Sequence, residues 1–201
     1  MLNRNYHNLD KLVIKFDTDY PFLPAFRGDL GDFKLVPFDR ASAVPFALRK
    51  KYVVHFYIED FLFERFWSNP DKYISMLKSF KAVVSPDFSI YYNCPDVIGE
   101  YNKFRNHFLG LYMYQNGIDV IPNFRSAGEK HFNFSLDGYP RNSVFFASNV
   151  GINKNPQQKN DFIKGLKLLS FASPRLLYIV TRGDDTYKLP YPCKVIKLDR
   201  R

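Results

Sequence analysis

Short apolar runs recur along the chain, each closed by polar residues. They are Phe33–Phe38 (FKLVPF), Tyr52–Ile58 (YVVHFYI), Ala82–Ser89 (AVVSPDFS), Asp119–Phe124 (DVIPNF), Ser143–Ser148 (SVFFAS), Leu176–Val180 (LLYIV) and Cys193–Leu198 (CKVIKL). Runs this short, rich in β-branched and aromatic residues, read as strands, and those with almost no polar position read as strands covered on both faces. Pro122 inside the fourth run marks an edge, a bulge or a last paired residue, because proline has no N–H to give a ladder. A further alternating stretch, Phe132–Leu136 (FNFSL), precedes the turn Asp137-Gly138-Tyr139-Pro140.

Between the runs the apolar period lengthens to that of a helix. Pro70 suits a first helical turn, and Tyr73, Met76, Leu77 and Phe80 form one face after it. Asn93 or Cys94, then Pro95 and Asp96, start a longer helix closed by Gly117, with Val97, Tyr101, Phe104, Phe108 and Leu111 as the stripe expected to face a sheet. Asn155-Pro156 opens a third helix through Phe162, Leu166 and Leu169, with Lys159, Lys164 and Lys167 towards solvent. Strands alternating with helices predict an α/β fold built on a mainly parallel sheet. A closed eight-stranded barrel takes ~250 residues, so 201 residues predict an incomplete, barrel-like or open sheet. The expected organisation is a single α/β domain over residues 1–201. Residues 1–50 form an irregular lead-in punctuated by Pro21, Pro24, Gly28, Gly31, Pro37 and Pro45, residues 51–185 the core, and residues 186–201 a basic terminal strand.

Composition changes this picture in two places. Aromatic residues make up 18% of the chain, so rings must fill much of the core. The net charge is +9, and residues 150–201 carry 11 Lys and Arg against 4 Asp and Glu. That surplus suits a polyanionic partner, with Lys159, Lys164 and Lys167 as expected nucleic-acid contacts; a solubilising surface explains the same charge without one. No run approaches the ~20 apolar residues of a membrane span, and the first residues lack the pattern of a signal peptide, so no membrane partner and a cytoplasmic location are expected. Cys94 and Cys193 have neither ligand nor disulfide spacing.

Candidate chemistry gathers where the strands end. The polar residues there are Asp60, Asp87, Arg125 with Glu129, Asn149, and Arg182 with Asp184. In a parallel sheet they share one rim, and ligands bind at the carboxyl ends of such strands. Asp60 and Asp87 are the candidate catalytic carboxylates. As a pair they also suit magnesium, which takes oxygen ligands, and alternatively one is a general base whose pKa the other raises. Arg125 and Arg182 offer bidentate contacts to phosphate or carboxylate, with Glu129 and Asn149 beside them as substrate-binding residues. The structural alternative is that polar strand ends cap helices and turns in most α/β proteins. His55, mid-strand, reads as a hydrogen-bonded core histidine, and His107 and His131 lack partners at metal spacing. Ser89 lacks the Gly-x-Ser-x-Gly setting of a hydrolase elbow, and no glycine-rich phosphate loop, Cys-x-x-Cys or His-Glu-x-x-His occurs.

Several motifs occur together in a fixed order. They are His55–Trp67 with its Phe63-Glu64-x-x-Trp67 step, Ser85-Pro86-Asp87-Phe88-Ser89, Tyr101-Asn102-x-Phe104-Arg105, Gly117–Pro122, Phe132-x-Phe134 and Asp137-Gly138. Over roughly residues 45–185 this order resembles the bacterial and phage-borne domain of unknown function family 4417. The resemblance implies a phage or mobile-element setting in a bacterial host cell and brings no activity with it. Arg125-Ser126, with Glu129 later, departs from the aromatic and acidic residues the family often has there. Two functions follow as expectations. One is action on nucleic acid or a nucleotide phosphate at the strand ends, including metal-assisted phosphoester chemistry. The other is non-catalytic docking on a host or defence protein or on nucleic acid.

Overall fold

Every expected strand forms in the computed structural model, which describes residue 11 and residues 20–91, 94–125, 136–152 and 155–198. The strands are β1 (Lys34–Pro37), β2 (Tyr52–His55), β3 (Ala82–Val84), β4 (Val120–Ile121), β5 (Val144–Ser148), β6 (Leu176–Thr181) and β7 (Cys193–Lys197). The helices are α1 (Phe38–Ala41), α2 (Glu64–Ser68), α3 (Asp71–Lys78), α4 (Asp96–Gln115) and α5 (Pro156–Leu168). Glu129 and most of the Phe132–Leu136 stretch lie outside the described residues, as do Asn93 and His131.

Among the described residues all pairings are parallel, and spatial order follows chain order: β1-β2-β3-β4 in one sheet and β5-β6-β7 in the other. Pro122 causes the break between them. It cannot donate to a ladder, so β4 stops at Ile121, and pairing resumes as a parallel bridge from Asn123 to Phe146. The Phe124 amide donates to the Phe146 carbonyl at 2.7 Å and the Phe146 amide to the Pro122 carbonyl at 2.9 Å, which joins the two sheets across the proline.

Adding each strand to the same edge curls the sheet onto itself rather than reversing it at a switch point. One interior cluster accordingly draws Val53 and Tyr57, Ala82 and Val84, Ile121, Val144 and Phe146, and Tyr178 and Val180 from successive strands, with Leu35 and Ile196 packed against it. Helices cover the outside, α1 to α4 over β1–β4 and α5 over β5–β6. Among the described residues β1 pairs only with β2 and β7 only with β6, so they form no closed barrel.

One expectation needs correction. The α4 stripe does not face the sheet along its length: Val97 and Tyr101 are exposed, while Asn102, Lys103, Asn106 and His107 are buried. The reason is local, since the first half of α4 covers a loop of backbone polar groups rather than the apolar back of a strand. The lead-in is tied to the later part of the chain by hydrogen bonds. The Leu23 amide donates to the Gly138 carbonyl (2.8 Å), the Val144 amide to the Phe26 carbonyl (2.8 Å), and Arg175 to the Arg27 carbonyl (2.9 Å). Gly138 has φ +73°, and a Cβ there would lie 2.7 Å from Nδ1 of His107 and 2.9 Å from the Pro21 carbonyl.

Candidate functional site

The loop Ser85–Ser89 leaves β3 with Val83 and Val84 fully buried, and its own polar groups need partners away from water. Side chains from three directions supply them. Asn106 accepts from the Phe88 amide (2.7 Å) and donates to the Phe88 carbonyl (3.1 Å), and Asn102 donates to the Ser89 carbonyl (2.7 Å). Ser89 donates to the Asp60 carboxylate through its amide (3.1 and 3.2 Å) and its hydroxyl (3.0 Å). The Arg105 guanidinium lies 3.7 Å from the Phe88 ring centroid, pairs with Glu64 at 2.9 Å and donates to Asn102 at 2.6 Å. The motif residues Glu64, Asn102 and Arg105 therefore form one scaffold that fixes the loop carrying Asp87.

Asp87 is buried at the floor of a cavity of about 390 Å³, which Arg125, Arg182, Tyr57, Ser89 and Ser148 also line. These residues follow or end β2 to β6, so parallel pairing places them at one rim. Asn123 donates to Oδ1 of Asp87 at 2.8 Å, and Nη1 of Arg125 lies 3.2 Å from Oδ2. Tyr57 donates to the Asn123 side-chain oxygen at 2.9 Å, and Tyr139 donates to the Asn123 carbonyl at 2.8 Å while accepting from the Arg125 amide at 3.3 Å. Burial pushes the Asp87 carboxyl up to about 6; Arg125 and Asn123 oppose the rise, and Asp60 adds to it. Burial likewise holds the Tyr57 and Tyr139 hydroxyls above their ordinary range, so both remain donors at neutral pH.

The remaining expected residues have other surroundings. Asp60 sits behind the loop, committed to Ser89, while Glu59 lines the cavity. Asn149 is buried and turned away, donating to Asp185 (2.9 Å) and the Tyr187 hydroxyl (2.8 Å). Asp185 also receives Thr181 (3.0 Å) and Lys159, so Lys159 is an ion-pair partner on the surface. Lys164 is half-buried and Lys167 exposed in the last turn of α5. Asp184 pairs with Lys197. Among the described residues no three His, Cys, Asp or Glu side chains are placed to hold a metal ion together. His55 is the core histidine expected, accepting at Nδ1 from the Tyr57 amide (3.1 Å).

Sequence reasoning missed Tyr57, Asn123 and Tyr139. Asn123 carried a usable signal, a lone amide inside an apolar run beside a proline. A second buried group on α4 was also missed. Lys103 lies 4.2 Å from the Tyr20 ring centroid and 5.6 Å from that of Tyr139, and burial pushes its ammonium down to about 7. His107 beside it is pushed down to about 3, chiefly by burial, and its Nδ1 meets the Pro21 carbonyl at 3.0 Å.

Sequential parallel strands, outer helices and an ion-paired buried carboxylate at the carboxyl rim define an α/β protein with a strand-end cavity. Residues 20–197 match the family described as Domain of unknown function (DUF4417), and the chain belongs to that family. The match takes in residues 20–50 of the lead-in as well as the segment that carried the motifs. The chain is similar to the Gene 1 protein of Mycobacterium phage L5, 32% identical over 148 residues, covering 72% of this chain and 65% of that protein. It is also similar to the Gene 1 protein of Mycobacterium phage D29, 32% identical over 140 residues, covering 68% of this chain and 52% of that protein. The matched stretch thus spans less than two thirds of either relative. Both relatives are phage proteins, in line with the phage setting that the motifs implied. No solved structure matches the chain. Among the described residues no helix is long and apolar enough to cross a membrane.

Proposed function

We propose that the chain acts on a nucleotide phosphate or on nucleic acid at the strand-end cavity, by phosphoester chemistry in which Asp87 takes the proton of the attacking water or hydroxyl. The observation that carries this reading is the buried Asp87–Arg125 pair facing a cavity that Arg182 also lines. Guanidinium groups bind phosphate oxygens bidentately, and a carboxyl with a midpoint about 6 is ionised at neutral pH yet close enough to return a proton. A phosphate drawing Arg125 onto itself removes the partner that holds the Asp87 pKa down, so Asp87 becomes a stronger base as the ligand binds. Asp60 fixes the loop and contributes its charge. Asp60 is held by Ser89 outside the cavity lining, so a magnesium ion arriving with a phosphate would meet Asp87 and Glu59 as the carboxylates there.

The test compares wild type with Asp87→Asn on labelled DNA, RNA and nucleotides, with magnesium and with a chelator, beside melting curves in nucleotide or in the matching nucleoside. Nucleotide should raise the melting temperature and nucleoside should not, and Asp87→Asn should bind without turnover. Equal shifts from nucleotide and nucleoside overturn the phosphate site, and equal turnover by the variant overturns the role of Asp87.

One observation favours a second reading, docking on a host or defence protein without chemistry. Phe61, Tyr91, Val97, Ile98 and Tyr101 are exposed on segments tied together through Ser89, and Tyr91 and Ser89 also line the same cavity. Exposed apolar groups gathered at one place suit a protein partner. Val97→Glu with Tyr101→Glu should then abolish capture of that partner and leave the nucleotide-induced shift unchanged.

A further inference from the structure

We infer that the seam between β1 and β7 is a second binding site, which takes the phosphates next to the one held at Asp87 and Arg125, so that the ligand is a single nucleic-acid strand rather than a free nucleotide. This rests on the phosphate reading above. A cavity of about 580 Å³ occupies the seam, where the two edge strands leave room for a strand the sheet lacks. Tyr57 and Arg182 line both this cavity and the first, so the two are neighbours across a shared wall. A ligand long enough can occupy both while touching Arg182 throughout.

The lining states the chemistry of that ligand. Lys34, Arg40, Arg182 and Lys197 all face the seam and are all exposed, and among the described residues no acidic one lines it. Lys197 has a surface partner in Asp184, itself on the exposed loop after β6. Partly exposed rings, Phe33 and Tyr52, alternate with these cations. A basic groove interleaved with aromatic rings is how proteins hold single strands, with the cations following the phosphates and the rings stacking bases. An acidic peptide would satisfy the cations but leaves the rings and the shared Arg182 unexplained.

Fluorescence anisotropy with end-labelled single strands decides the matter. The probes are a mononucleotide, a tetranucleotide and an octanucleotide, each titrated into wild type and into Lys34→Glu/Lys197→Glu. Wild type should bind the octanucleotide at least about tenfold more tightly than the mononucleotide, with the steeper salt dependence that added phosphate contacts bring. The charge-reversed variant should lose that gain and keep its mononucleotide affinity, because neither lysine lines the first cavity. That retained affinity also reports that the variant is folded. Mononucleotide binding with no gain from length overturns the seam site and leaves the phosphate reading standing. No binding of any probe overturns both. Tighter binding of poly-glutamate than of the octanucleotide overturns the nucleic-acid assignment in favour of an acidic peptide.

Discussion

The two halves of the strand-end rim each centre on one shielded aspartate, and the two aspartates behave in opposite ways. Asp87, after β3, is pushed up to about 6, whereas Asp185, after β6, is held below its ordinary range by the Lys159 ammonium and by hydrogen bonds from Thr181 and Asn149. Asp87 is dominated by burial and stands in the field of a second carboxylate; Asp185 is dominated by its donors and lies close to solvent. A polar strand end satisfied by its neighbours is a latch for the loop around it. One left short of donors at a cavity floor keeps free energy available to a ligand.

Removing Arg125 should give the largest break in this contrast. Arg125→Met leaves Asp87 buried with Asn123 alone, and breaking a buried pair costs about 3–5 kcal/mol. The loss should be full in urea melts at pH 8 and shrink towards pH 5, where Asp87 takes up a proton and its charge disappears. Next in size is the pH profile of Asp87→Asn. The folded carboxyl titrates at about 6 and the unfolded one near its ordinary value, so the folded state binds more protons between them. Wild-type stability should therefore fall as pH rises from about 4 to about 6, by an amount on the order of 3 kcal/mol, and the variant should lack that fall. A profile unchanged by the substitution would remove Asp87 from its special position. Asp185 has the reverse sign: its contribution is present above the unfolded pKa and is lost as pH drops through the lowered folded one. Tyr57→Phe deletes the hydroxyl that Asn123 accepts and should cost about 1 kcal/mol in chemical denaturation. Lys159→Met, at the surface latch, should cost under about 1 kcal/mol, and less in high salt.

The strands were legible because burial on both faces writes an apolar run whatever the neighbours are, and the rim followed from parallel pairing. Asp87 and Arg125 were legible as rim residues for the same reason. Asp60 and Asn149 were placed at the rim but not aimed, since their partners, Ser89 for one and Asp185 with Tyr187 for the other, lie about thirty or more residues away in sequence. The buried face of α4 was misread because Asn102 and Asn106 satisfy the backbone of a distant loop, and such a face has no apolar period. Tyr57 was hidden by its ring, which counts as core in any apolar run even when its hydroxyl organises a site.

The strand order and the lead-in together set a schedule for folding. Each strand pairs with the next one made, so the sheet can grow as the chain emerges, one crossover connection closing at each step. The lead-in cannot follow that schedule. Its amides and carbonyls between Leu23 and Arg27 are matched by Gly138, Ser143, Val144 and Arg175. The segment synthesised early must therefore wait for the last third of the chain, and a ribosome-bound nascent chain ending before residue 138 should hold its first strands paired and its lead-in undocked.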